Sequence, residues 1–135
     1  MGRILLVEDD ADVRSVCAVM LTRVGHDVIE QTHARDAIEF LEGAGKLDLA
    51  VLDVILHDGS AREVAIVMAR LQPDVPILLI PALDVTSLQA LGYLDDNLIR
   101  QGNVHCLQKP FTFQELAGIV TLLLGRVPAR DGAIG

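Results

Sequence analysis

Residues 4 to 10 read Ile4-Leu5-Leu6-Val7-Glu8-Asp9-Asp10, four aliphatic side chains in an unbroken row that stops at three acids. A strand with one wet face alternates apolar and polar residues, so an unbroken short row fits a strand covered on both faces, as in a parallel sheet. The pattern returns at Leu49-Ala50-Val51-Leu52, which runs into Asp53, and at Pro76-Ile77-Leu78-Leu79-Ile80. Val28-Ile29 and Val104-His105-Cys106-Leu107 give two further short runs. Between the runs lie residues at helical spacing: Val13, Val16, Cys17, Met20, Leu21 and Val24 before Gly25; Ala34, Ala37, Ile38 and Leu41; Val64, Val67, Met68 and Leu71. A less regular helix is expected between Leu83 and Gly102, and Phe113, Leu116, Val120 and Leu123 mark a closing one. Five strand–helix units with short connections predict an α/β fold, a doubly wound five-stranded parallel sheet with helices on both faces. One domain over residues 1–124 accounts for the pattern, and residues 125–135, with Pro128 and several Gly, read as a tail or the start of a linker.

Composition narrows the function. Aromatics make up 3% of the 135 residues, with no Trp, so the stacking platform of a single-strand nucleic-acid binder is missing. The formal net charge of −8 is the wrong sign for gripping a phosphate backbone, so no direct nucleic-acid binding is expected. No apolar run approaches the length of a membrane span, and the apolar start at residues 4–7 is too short for a signal peptide. Cys17 and Cys106 are not spaced as a metal clip, and both are expected to pack as small apolar side chains in a reduced, cytoplasmic protein.

In open parallel sheets functional groups gather beyond the carboxyl ends of the strands, and here the acids fall there. Glu8, Asp9 and Asp10 follow the first strand and Asp53 follows the third. Carboxylates brought to one spot repel unless a cation lies between them, and hard oxygen ligands suit Mg²⁺. Lys109, after the fifth strand, adds an ammonium on the other side of the crevice. Acids, a divalent ion and a lysine together make a phosphoryl-binding site, because each offsets charge on the phosphoryl group or its acceptor. Asp10, directly before a strong helix, is expected to be its N-cap, leaving Asp9 for the metal. His57 lies near the site and is read as a solvent-facing loop residue.

The stretches Leu6-Val7-Glu8-Asp9-Asp10, Leu52-Asp53-Val54 and Lys109-Pro110-Phe111, in order and at these strand ends, resemble the receiver domain of two-component response regulators, the CheY-like fold. The resemblance covers roughly residues 3 to 124 and implies strand order 2-1-3-4-5. It makes Asp53 the phosphoacceptor and Glu8 with Asp9 the acidic pair, Asp9 ligating Mg²⁺ directly and Glu8 mostly through water, with Asp53 and the Ile55 backbone carbonyl completing the protein ligands. Lys109 would pair with Asp53 and then, with Val54 and Ala82, hold the phosphoryl group. The donor implied is a phosphohistidine on a sensor histidine kinase or histidine phosphotransfer protein, and the role is that of a switch acting through protein contacts rather than an enzyme. The family's output and dimerisation surface adds a homodimer to the expected partners, while the downstream partner is left open.

The sequence departs from that family at several points. Pro81 stands where receivers carry Thr or Ser, with neither hydroxyl nor backbone N–H, and Cys106 stands where they favour an aromatic. The segment between Pro81 and Lys109 is longer than expected, and Thr86 and Ser87 are the hydroxyls that could fold back. Leu56-His57-Asp58-Gly59 reads as a shortened connection into the third helix. Ile55 and Leu83, apolar beside the site, predict slow loss of the phosphoryl group. Two rival readings remain at this point. A pseudo-receiver would dock partners without phosphate; an aspartyl phosphatase or phosphotransferase would need a second carboxylate where Ile55 stands.

Overall fold

The computed structural model describes residues 2–43, 45–99 and 103–125, with Ile99 described by its backbone alone. The five expected strands form one parallel sheet. They are β1 (Arg3–Val7), β2 (Asp27–Gln31), β3 (Leu49–Leu52), β6 (Ile77–Leu79) and β7 (Val104–Cys106), in the order β2-β1-β3-β6-β7. A small antiparallel pair, β4 (Ile55–Leu56) and β5 (Gly59–Ser60), follows β3 in the chain. The helices are α1 (Ala11–Arg23), α2 (Ala34–Glu42), α3 (Ala61–Leu71), α4 (Val85–Ala90), α5 (Asp96–Ile99) and α6 (Phe113–Gly125). With the pair left out, the strands run 2-1-3-4-5 as expected.

Strand geometry sends alternate side chains to opposite faces, and the two cores follow from it. Leu5 and Val7 of β1, Ala50 and Leu52 of β3, and Ile77 and Leu79 of β6 face α2, α3 and the α4–α5 segment. Ile4, Leu6, Leu49, Val51 and Leu78 face α1 and α6, where Cys17, Leu21, Leu116, Val120 and Leu123 close the layer. Ile4 to Val7 and Leu49 to Leu52 are all 0% exposed, which is why these runs carry no polar residue.

The helix ends follow local chemistry. Asp10 caps α1, its Oδ1 accepting from the amides of Asp12 at 2.9 Å and Val13 at 3.1 Å. Gly25 ends the helical turn at φ 104, a conformation costly for any residue with a Cβ. Ser60 and Glu63 form a capping box on α3.

Several expectations are corrected. The irregular fourth helix is two short ones, because Gly92 at φ 84 turns the chain between them while Leu88, Leu94 and Leu98 stay buried. The shortened connection at residues 56–59 is a hairpin with His57 and Asp58 at its tip. Val16 and Val24, counted in the apolar stripe of α1, are 51% and 41% exposed, and Ala18 is buried instead. Cys106 is exposed because β7 is an edge strand, whereas Cys17 is buried as expected. Among the described residues a cis peptide bond lies at Lys109–Pro110. The expected tail at residues 125–135 lies, apart from Gly125, outside the described residues. No described helix is long and apolar enough to cross a membrane.

A Cβ added at Gly25 would meet no atom within 4 Å, so only backbone strain opposes substitution. Gly25→Ala should lose about 1–2 kcal/mol in denaturant unfolding, and Gly25→Asn, which tolerates positive φ better, should lose less.

Candidate functional site

The sheet ladder continues one step past the strand ends and fixes the backbone of the site. The Glu8 amide donates to the Gln31 carbonyl at 3.1 Å, and that of Asp53 to Val7 at 2.9 Å. Ile80 donates to Leu52 at 2.8 Å, and Lys109 to the Pro81 carbonyl at 2.8 Å. Pro81 takes part through its C=O alone, so its missing N–H leaves no gap in this run. Val7 and Leu52 stand level in the β1–β3 register, and the residues after them, Glu8 and Asp53, emerge side by side.

Glu8 is 0% exposed and Asp53 8%. The Lys109 ammonium lies between them, donating to Glu8 Oε1 at 3.0 Å and to Asp53 Oδ1 at 3.4 Å. The second Glu8 oxygen accepts the Asp10 amide at 3.2 Å, and Asp53 Oδ1 also accepts the Val54 amide at 2.9 Å. Arg14 of α1 donates to the Glu8 carbonyl at 3.0 Å. Asp9 is half-buried, and one oxygen from each of Glu8, Asp9 and Asp53 falls within 4.8 Å of the others.

Three carboxylates face one lysine, and the imbalance shows in the proton affinities. Burial, and then the hydrogen bond and charge of Glu8, push Asp53 up to about 7 against the pull of Lys109 and the Val54 amide. Burial draws the Lys109 pKa down, but the Glu8 hydrogen bond and the two carboxylate charges outweigh it and leave it raised, so the side chain stays an ammonium. The donors are hard oxygens in excess of their counter-charge, which fits a small divalent cation such as Mg²⁺. Burial, with the Glu8 charge behind it, pushes the Cys17 thiol up to about 11, so it adds no thiolate.

The other expected site residues are placed as follows. Val54 is buried beside Asp53; Ile55, 39% exposed, opens β4; Ala82 is exposed after a buried Pro81. Cys106 ends β7 at the surface with no ring, and partial burial of its thiol raises its proton affinity. Ser87 does not replace the missing hydroxyl, because its Oγ donates to Asp84 at 2.6 Å within the cap of α4. His57 is exposed as expected, yet its Nε2 is 3.5 Å from Asp9 Oδ2. That contact and the Arg14 bond to Glu8 were missed in the sequence, since both depend on where the hairpin and α1 land.

Because Asp53 binds its proton more tightly folded than unfolded, its contribution to stability is full below its ordinary value of 3.8 and is lost as pH rises through about 7. Asp53→Asn should therefore stabilise the metal-free protein by about 0.5–2 kcal/mol at pH 8 and by much less at pH 5. Paired thermal melts at the two pH values check this.

A sequence profile described as the response regulator receiver domain matches residues 4–121. The DNA-binding transcriptional regulator NtrC of Rhizobium meliloti is 32% identical over 133 residues, covering 97% of this chain and 26% of that protein. Response regulator MprA of Mycolicibacterium vanbaalenii is 31% identical over 131 residues, covering 97% of this chain and 54% of that protein. The chain thus spans about half the length, or less, of these two curated relatives. Among solved structures, a response regulator receiver protein from Sinorhizobium medicae superposes with a TM-score of 0.77 at 27% identity, over 92% of this chain and 94% of that one. Profile and sheet order agree, and the chain belongs to the response regulator receiver domain family.

Proposed function

We propose that Asp53 accepts a phosphoryl group from the phosphohistidine of a sensor histidine kinase or histidine phosphotransfer protein, and that the receiver unit, residues 1–124, signals by protein contact in the cytoplasm. The observation that carries this is the buried Glu8–Lys109–Asp53 arrangement at the ends of β1, β3 and β7. In the transfer an Asp53 oxygen attacks phosphorus, the P–N bond to the donor imidazole breaks, and the imidazole keeps the electron pair and takes a proton. Mg²⁺, held by Glu8, Asp9, Asp53 and the Ile55 carbonyl, would supply positive charge against the phosphoryl oxygens. Lys109, tethered to both acids, would follow the new charge, and the Val54 and Ala82 amides would donate to the phosphoryl oxygens. Positioning and charge compensation supply the catalysis, as phosphoryl transfer requires.

A surface for the donor lies alongside. Val13, Val16, Cys17, Met20 and Phe111 line an apolar groove that reaches Lys109, and Val19 is 57% exposed on the same helix. Free cysteines, at positions 17 and 106, accord with a reducing compartment. A phosphate-independent docking module would have no use for a buried acid–lysine set that costs stability, so that reading is not favoured.

Incubation with a small phosphodonor and Mg²⁺ should add one phosphoryl group by intact mass, none in Asp53→Asn, and Lys109→Ala should react about 10²-fold more slowly. Absence of the gain while Mg²⁺ still binds would overturn the reading. The modified protein should decay slowly once the donor is removed, and Ile55→Asn should hasten the decay by admitting water.

A further inference from the structure

The hairpin that follows Asp53 touches two places at once. Its base is fixed, because the Ala61 amide donates to the Val54 carbonyl at 3.0 Å and Ser60 is locked into the cap of α3. Its tip has two residues that reach different partners. His57 lies 3.5 Å from Asp9 in the acid cluster. Asp58 accepts from the amides of Ala34 at 2.8 Å and Arg35 at 3.0 Å, the first residues of α2.

Those two bonds matter because α2 has no side-chain cap of its own. His33 occupies its N-cap position without a capping hydrogen bond, and its Nδ1 is 2.7 Å from the neighbouring Thr32 hydroxyl. A helix start leaves four amides without partners inside the helix, and here two of them depend on a residue more than twenty positions away. Meanwhile Pro81 and Cys106 stand at the two positions where the family carries a hydroxyl and an aromatic ring.

We propose that the β4–β5 hairpin carries the state of Asp53 to the N-terminus of α2, so that the hairpin tip and the first turn of α2 form the state-dependent output surface. The proposal rests on the reading of Asp53 as phosphoacceptor. A phosphoryl group brings about two negative charges and three acceptor oxygens to the acid cluster that His57 already touches. Drawing the imidazole inward carries the adjacent Asp58 with it and withdraws the cap from α2. The cost of losing a cap is small enough for the group to overcome and large enough to change the population of an open first turn.

The test is amide hydrogen exchange on the full chain, with and without a small phosphodonor and Mg²⁺, and with intact mass read on the same samples. Exchange at the Ala34 and Arg35 amides should rise about tenfold on phosphorylation. Asp58→Ala should show that faster exchange before phosphorylation, still gain the phosphoryl group, and change no further. In phosphorylated His57→Ala the amides of α2 should stay protected. A mass gain with unchanged exchange at α2, or a change confined to residues 83–99, would overturn this inference and leave the phosphoacceptor reading standing. A missing mass gain would sink both.

Discussion

Two carboxyl groups buried side by side cannot both ionise cheaply, and everything at the top of this sheet is arranged around that cost. Glu8 and Asp53 stand on neighbouring central strands, and Lys109 arrives from the edge strand to lie between them. One ammonium is not enough for two buried acids and the half-buried Asp9. Burial first, and the hydrogen bond and charge of Glu8 after it, make Asp53 hold its proton far above the usual carboxylate range. The site therefore sits in electrostatic debt, ready to take a cation that the rest of the fold does not supply. A native structure keeps such a destabilising cluster where function requires it.

The sheet makes this possible because its two faces are fully covered. Alternating side chains of β1 and β3 fill separate layers against α1 with α6 and against α2 with α3. Both strands are thus fixed in register and in face, and slippage by one residue would exchange the two cores. Glu8 and Asp53 inherit that rigidity through the ladder bonds just beyond the strands. The acids are brought together by packing that lies below them.

What the sequence disclosed and what it hid divide along the range of the interactions involved. Ile4 to Val7 and Leu49 to Leu52 were legible because burial on both faces leaves no polar residue in the run. Asp10 as a cap, and the acids and Lys109 at strand ends, were legible because one residue's neighbours in sequence place it. Val16 and Val24 of the expected α1 stripe face solvent, since a stripe rich in apolar residues does not say which of them face the sheet. The exposure of Cys106 follows from the sheet order, in which β7 is last. The hairpin at Ile55–Ser60 joins only two residue pairs, too few for an alternating pattern, and the Asp58 bonds to α2 are invisible to any local window. Ser60 with Glu63 is a capping pattern visible in the sequence itself, since both partners lie within one turn.

The contrast between the two cysteines has a practical side. Cys17 is buried on the core side of α1, and burial beside Glu8 suppresses its thiolate; Cys106, whose thiol is also raised by partial burial, is the one reached by solvent, at the end of β7. The native chain therefore carries one addressable thiol. A fluorophore or spin label can be attached there without removing the other cysteine, giving a spectroscopic reporter at the edge of the sheet whose strand leads directly to Lys109.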